Sequence, residues 1–112
     1  MRPGHNGVQV MIDIDSAIAA VLYTVPADSL LFIFGWCWSV QQGAAVNSYI
    51  QIKDETAAHY AWLSFVTGNV NSNSAESTQG LWVPIELPEG YTINLVTARE
   101  AKGHIHGILI DV

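Results

Sequence analysis

SLLFIFGWCWSV, residues 29 to 40, decides the fold. Every position from Leu30 to Trp38 is apolar except Gly35, and turn signals bracket the run: PAD at 26 to 28 and QQG at 41 to 43. The run is too short to cross a bilayer as a helix. In a strand, alternate side chains point to opposite faces. Leu30, Phe32, Phe34, Trp36 and Trp38 then share one face, and Leu31, Ile33 and Cys37 the other. A strand apolar on both faces belongs in the middle of a sheet, with the core on one side and a covering neighbour on the other.

Working outward, period-two alternation recurs along the chain. Val8, Val10, Ile12 and Ile14 alternate with Gln9, Met11 and Asp13, and Ile50 and Ile52 with Tyr49, Gln51 and Lys53. Leu81, Val83, Ile85 and Leu87 alternate with Trp82, Pro84 and Glu86. Further turn signals lie at KDE (53 to 55), NVNSNSAESTQG (69 to 80), LPEG (87 to 90) and REAKG (99 to 103). Strands are therefore expected near 8–14, 19–25, 30–40, 46–53, 57–67, 80–87, 90–97 and 104–111. About eight short antiparallel strands make an all-β chain folded as one β-sandwich, jelly-roll-like. In DSAIAAVLY, residues 15 to 23, Ser16 and the alanines could cap and build a short helix. The extended Thr24 and Val25 ahead of Pro26 favour reading it as a strand. The Asn/Ser-rich segment 69 to 79 reads as a surface loop between strands, and residues 1 to 7 as a flexible N-terminal arm.

The chain has 112 residues, the size of one domain with one core. Ten carboxylates face only Arg2, Lys53, Arg99 and Lys102, for a net charge of −6. No basic stripe exists to neutralise phosphates, so a nucleic-acid partner is not expected. Charged residues make up 12% of the chain, against roughly 25% in an ordinary soluble domain. So few charges, with four tryptophans, imply surface covered by other subunits. Trp36, Trp38, Trp62 and Trp82 are the candidate interface residues. The N-terminus MRPGHNGVQV has no signal-peptide pattern, so a soluble protein without export signal or membrane contact is expected.

Catalytic chemistry finds no support. There is no GxSxG turn, and no phosphate-cradling glycine loop. Cys37 stands between two tryptophans with no neighbouring cation to lower its pKa, and as the lone cysteine it forms no internal disulfide. Asp13 with Asp15 lies at the polar end of a strand, and Asp54 with Glu55 in a turn, where carboxylates are commonplace.

His104 and His106 carry the metal signal. One residue apart in a strand, they fall on one side and could both reach one ion. A cupin, another jelly roll, would place its HxH well upstream of a glutamate and a further histidine, whereas six residues follow His106 here. The closing strand offers only Asp111 as a further ligand, and it points the other way. His5 falls in the expected arm and His59 in another strand. The pair is therefore expected on the sandwich surface or at a subunit contact, with no tightly held metal and no cofactor.

LYTVPADSL (22 to 30), LPEGYTINL (87 to 95) and GHIHGILIDV (103 to 112) together give the chain a likeness to a known group. The pattern of a strand ending in a YTVPA-type turn, a Pro-Glu-Gly turn launching a strand and a closing Gly-x-x-x-Gly strand resembles small all-β structural proteins of tailed bacteriophages. The resemblance spans about residues 19 to 112. It implies a non-enzymatic virion component, either a capsid decoration protein or a small tail or receptor-binding part. Such proteins work as trimers or other symmetric oligomers bound to major capsid or tail proteins, and no catalytic residue is carried over. Some trimeric phage fibres hold an axial iron with an HxH from each chain, but they carry a glycine two residues before the first histidine, where this chain has Lys102. The rival reading is a carbohydrate-binding sandwich whose exposed tryptophans stack on sugar rings.

The alternation makes one direct prediction. Far-UV circular dichroism should show β-sheet with almost no helix, and a helix-dominated spectrum would overturn the fold assignment.

Overall fold

The computed structural model describes residues 7–43 and 47–112. The described residues form nine strands: β1 Val8–Ser16, β2 Ala20–Thr24, β3 Ser29–Val40, β4 Ser48–Lys53, β5 His59–Val66, β6 Ser74–Thr78, β7 Ile85–Pro88, β8 Thr92–Val96 and β9 Ala101–Asp111. No helix occurs among them. The first sheet runs β1-β9-β3-β6, with β7 also on β3, and the second runs β2-β8-β4-β5. Every pairing is antiparallel. Because β6 and β7 follow one edge of β3 in turn, they occupy a single position. The two sheets then hold four positions each, in the order of a jelly roll.

This arrangement corrects two expectations. The segment 69 to 79 is not all loop: Ser74–Thr78 pairs with Trp36 to Val40. Its Ser, Ala, Glu and Thr have weak strand preference, and the pairing is supplied by β3 and by an inward-facing Glu76. The strand expected over 80–87 survives only from Ile85 onward, since Trp82 and Val83 stand away from the ladder and Leu81 keeps only a single hydrogen bond to Phe34 of β3. DSAIAAVLY contributes the end of β1 and most of β2, with no helical turn. The expected arm lies outside the described residues apart from Gly7, and so does Val46 at the start of the expected fourth strand.

The central strand departs from strict alternation. Its pairing with β9 shifts between Ile33 and Gly35, inserting one residue. Such a bulge reverses which face each later residue takes. Leu31 and Ile33 point inward before it, and Trp36, Trp38 and Val40 point inward after it, all buried. The expected face shared by Leu30, Phe32, Phe34, Trp36 and Trp38 is therefore divided: the first three face outward with Cys37, and the two tryptophans enter the core. They join Ile12, Ile14, Ile50, Ile52, Ile93, Leu95 and Ile105 in one cluster between the sheets.

Buried indoles need partners for their N–H groups. Trp38 Nε1 donates to Ser64 Oγ at 2.7 Å, and Ser64 Oγ donates to Glu76 Oε1 at 2.6 Å. Trp36 Nε1 donates to the same carboxylate oxygen at 2.7 Å. The chain of bonds ties β3 and β6 of the first sheet to β5 of the second, closing one side of the sandwich. At the tight turn after β4, Asp54 accepts from the Thr56 hydroxyl at 2.7 Å and from the Ala58 and Thr56 N–H groups. Those bonds, the Thr56 hydroxyl first, hold its carboxyl below the ordinary value.

Removing the bridging hydroxyl leaves a buried indole N–H without a partner. Ser64→Ala should destabilise the fold by about 1–3 kcal/mol, measured by urea unfolding. An unchanged midpoint would mean that the clamp contributes nothing.

Candidate functional site: the outer sheet faces

The outer face of the first sheet is built from alternate residues of its long strands. β3 presents Leu30, Phe32 and Phe34, all half-buried, and β9 presents Ile108 and Ile110 beside them. The register sets Phe32 opposite Ile108, and Ile108 opposite Gln9. Met11 on β1 is 61% exposed. Nothing among the described residues forms a third layer over this face. It is the second apolar side that the 29 to 40 stretch predicts. A hollow of about 280 Å³ opens on it, lined by Gln9, Met11, Phe34, His106, Gly107 and Ile108.

His104 and His106 lie on the same face, farther along β9, with ring centroids 5.7 Å apart. Their neighbours come from register and could not be read from the sequence. Cys37 stands directly across from His104 on β3, and Asp13 across from it on β1. Gly35 and Met11 flank His106 in the same way. A Cβ on Gly35 would lie 2.5 Å from His106 Nε2 and 2.7 Å from the Thr78 carbonyl oxygen, so the missing side chain makes room for the imidazole. Gly103 and Gly107, the Gly-x-x-x-Gly pair, have the same logic on β9: a Cβ on either would collide with the β3 backbone. At φ +152°, Gly103 also holds a conformation that L side chains rarely adopt.

This row of aspartate, histidine and cysteine resembles a catalytic or metal-binding set only in its order across the strands. Among the described residues, no hydrogen bond joins Asp13, His104 and Cys37, and no three His, Cys, Asp or Glu side chains approach closely enough to hold one ion. Burial pushes the Tyr23 phenol up. Burial, then the Glu55 carboxylate, Tyr60 and Asp54, does the same to Tyr91. Lys102 is raised by its hydrogen bond to Glu100 and by Asp15. All three keep their ordinary charge state at neutral pH.

The four tryptophans separate into two pairs. Trp36 and Trp38 are core residues, unavailable to any partner, while Trp62 is 57% and Trp82 97% exposed. Trp62 stands on the outer face of the second sheet, edge-on to Tyr49 at 4.6 Å and near His59 and Phe65. Gln51 lies opposite Trp62, and Asn94 opposite Gln51. Trp82 stands in the break between β6 and β7. The outward residues Leu30, Phe32, Phe34, Ile108 and Ile110 were missed as candidates, although unbroken apolar runs in both strands carried the signal.

No protein-family model matches the chain, and no curated protein matches it. Among solved structures, it is similar to one of Bacillus endospore appendages, described as a novel family of disulfide-linked pili. The TM-score is 0.53 at 15% identity, covering 96% of this chain and 89% of that one. At that identity the likeness concerns the fold.

The glycine beneath His106 yields a test. Gly35→Ala should displace the imidazole and cost about 1–3 kcal/mol by overpacking. Urea unfolding and the His106 ring resonances in an NMR spectrum measure the two effects, and a native midpoint with unmoved resonances would contradict the packing described.

Proposed function

We propose that this chain is a non-enzymatic structural subunit that works by packing against further copies of itself through the outer face of its first sheet. The observation that carries this is the uncovered apolar surface of Leu30, Phe32, Phe34, Ile108 and Ile110 on the two longest strands. Solvated sheet faces carry polar residues in alternation with the core, and a contiguous apolar face marks a contact surface. The low charge content supports the same reading. So does the appendage protein of similar fold, which assembles into pili.

The mode of assembly differs from that neighbour's in one respect. A chain with the single Cys37 makes at most one intermolecular disulfide, which links two copies and cannot extend a series. Association beyond a pair is therefore non-covalent packing. The finer reading, resting on the resemblance of residues 22 to 30, 87 to 95 and 103 to 112 to tailed-phage proteins, is a trimeric capsid decoration protein located on the virion. In that setting the shell and neighbouring copies would cover the apolar face.

Phe32→Asp places a charge at the centre of this face without touching the core. Sedimentation equilibrium should show the unmodified chain as a homo-oligomer and the variant as a folded monomer. A stable monomer at high concentration for the unmodified chain would remove the proposal. Retention on phage capsids, lost in the variant, tests the virion reading separately.

A further inference from the structure

We propose that Trp82 is the anchor of the self-association contact, its indole entering the hollow bounded by Met11, Phe34, His106 and Ile108 on a second copy of this chain. The inference rests on the self-packing reading above and names the side chain that would dominate it. Trp82 is 97% exposed and Val83 beside it 71%, an arrangement that places a large apolar ring wholly in water. Interface anchors are most often tryptophan, tyrosine or arginine seated in a pocket of the partner.

The knob is held in place. Leu81 N–H donates to the Phe34 carbonyl oxygen at 2.9 Å, and the Leu81 side chain packs against the core. Trp82 points away from the core, and Pro84 restricts the backbone on its far side. A backbone fixed before contact lowers the ordering cost of binding. The same Phe34 that fastens the loop lines the hollow, so knob and receptor sit next to each other on one chain. A surface carrying both elements is complementary to a copy of itself.

Charge permits the same occupant at this contact. The chain carries −6, so two copies repel over most of their surface. Residues 79 to 84, QGLWVP, contain no ionisable group, and the hollow's lining contains none except His106. Contact through knob and hollow brings no carboxylate of either element against another. A bilayer is the competing occupant for an exposed indole, but four basic residues among 112 give anionic lipid little to attract.

The experiment compares the full chain with Trp82→Ala, Ile108→Lys and Phe32→Asp by sedimentation equilibrium, and follows indole emission against protein concentration. With the inference correct, emission of the unmodified chain shifts to the blue as concentration rises, and this shift is absent in Trp82→Ala. That variant should associate about thirtyfold or more weakly, with an unchanged urea midpoint at concentrations low enough for both chains to be monomeric, because the exposed ring supports nothing in the monomer. Ile108→Lys should weaken association from the receptor side. If Trp82→Ala associates as the unmodified chain does while Phe32→Asp does not, the anchor is wrong and the self-packing face stands. If the unmodified chain never associates, both fail. A blue shift produced only by phosphatidylcholine or phosphatidylglycerol vesicles, independent of protein concentration, overturns the inference in favour of lipid.

Discussion

One inserted residue in β3, between Ile33 and Gly35, governs what each side of the first sheet presents. Without it, the strand would send Trp36 and Trp38 to the same side as Leu30 and Phe32, and the cavity between the sheets would lose its two largest side chains. With it, both indoles turn inward and impose a new requirement, because their N–H groups must be satisfied away from water. Ser64 and Glu76 meet that requirement, and in doing so recruit β6 to the sheet and fasten the two layers together. The inward carboxylate and the fastening of the two layers follow from one change of phase.

The sequence disclosed the fold class for a physical reason. Alternation in 8–14, 50–53 and 85–87 is imposed by having one wet and one dry face, and it needs no knowledge of partners to be read. What stayed hidden depends on relations between distant segments. Nothing local in SLLFIFGWCWSV announces a bulge except Gly35, and a strand apolar in both phases conceals a reversal of phase. Ser74–Thr78 has the composition of a loop because its pairing is driven by β3 and by the bonds its own Glu76 accepts from Trp36 and Ser64. For the surface sites, the His104–His106 pair and its strand could be read, whereas Cys37 and Asp13 became its neighbours only through the register of β3 and β1 on β9.

The two outer faces have different characters on one scaffold. The first sheet offers aliphatic and phenylalanine side chains across its central strands, the composition of an interface core. The second offers a compact aromatic group at its edge, with Gln51 alongside. A similar fold at 15% identity in an appendage protein shows how little of the sandwich's sequence its architecture needs. Function on such a scaffold resides in the outward half of each strand, which the core does not constrain.

The division of the fourth strand position into β6 and β7 has a consequence for aggregation. A sheet edge with continuous free N–H and C=O groups is a template on which a foreign strand can grow, the route to amyloid. Here an incoming strand could pair along five residues of β6, would then meet the protruding segment around Trp82, and would find four more in β7. Neither piece offers a continuous template as long as β3 or β9. The interruption thus breaks the continuous template that fibril growth would need along this margin.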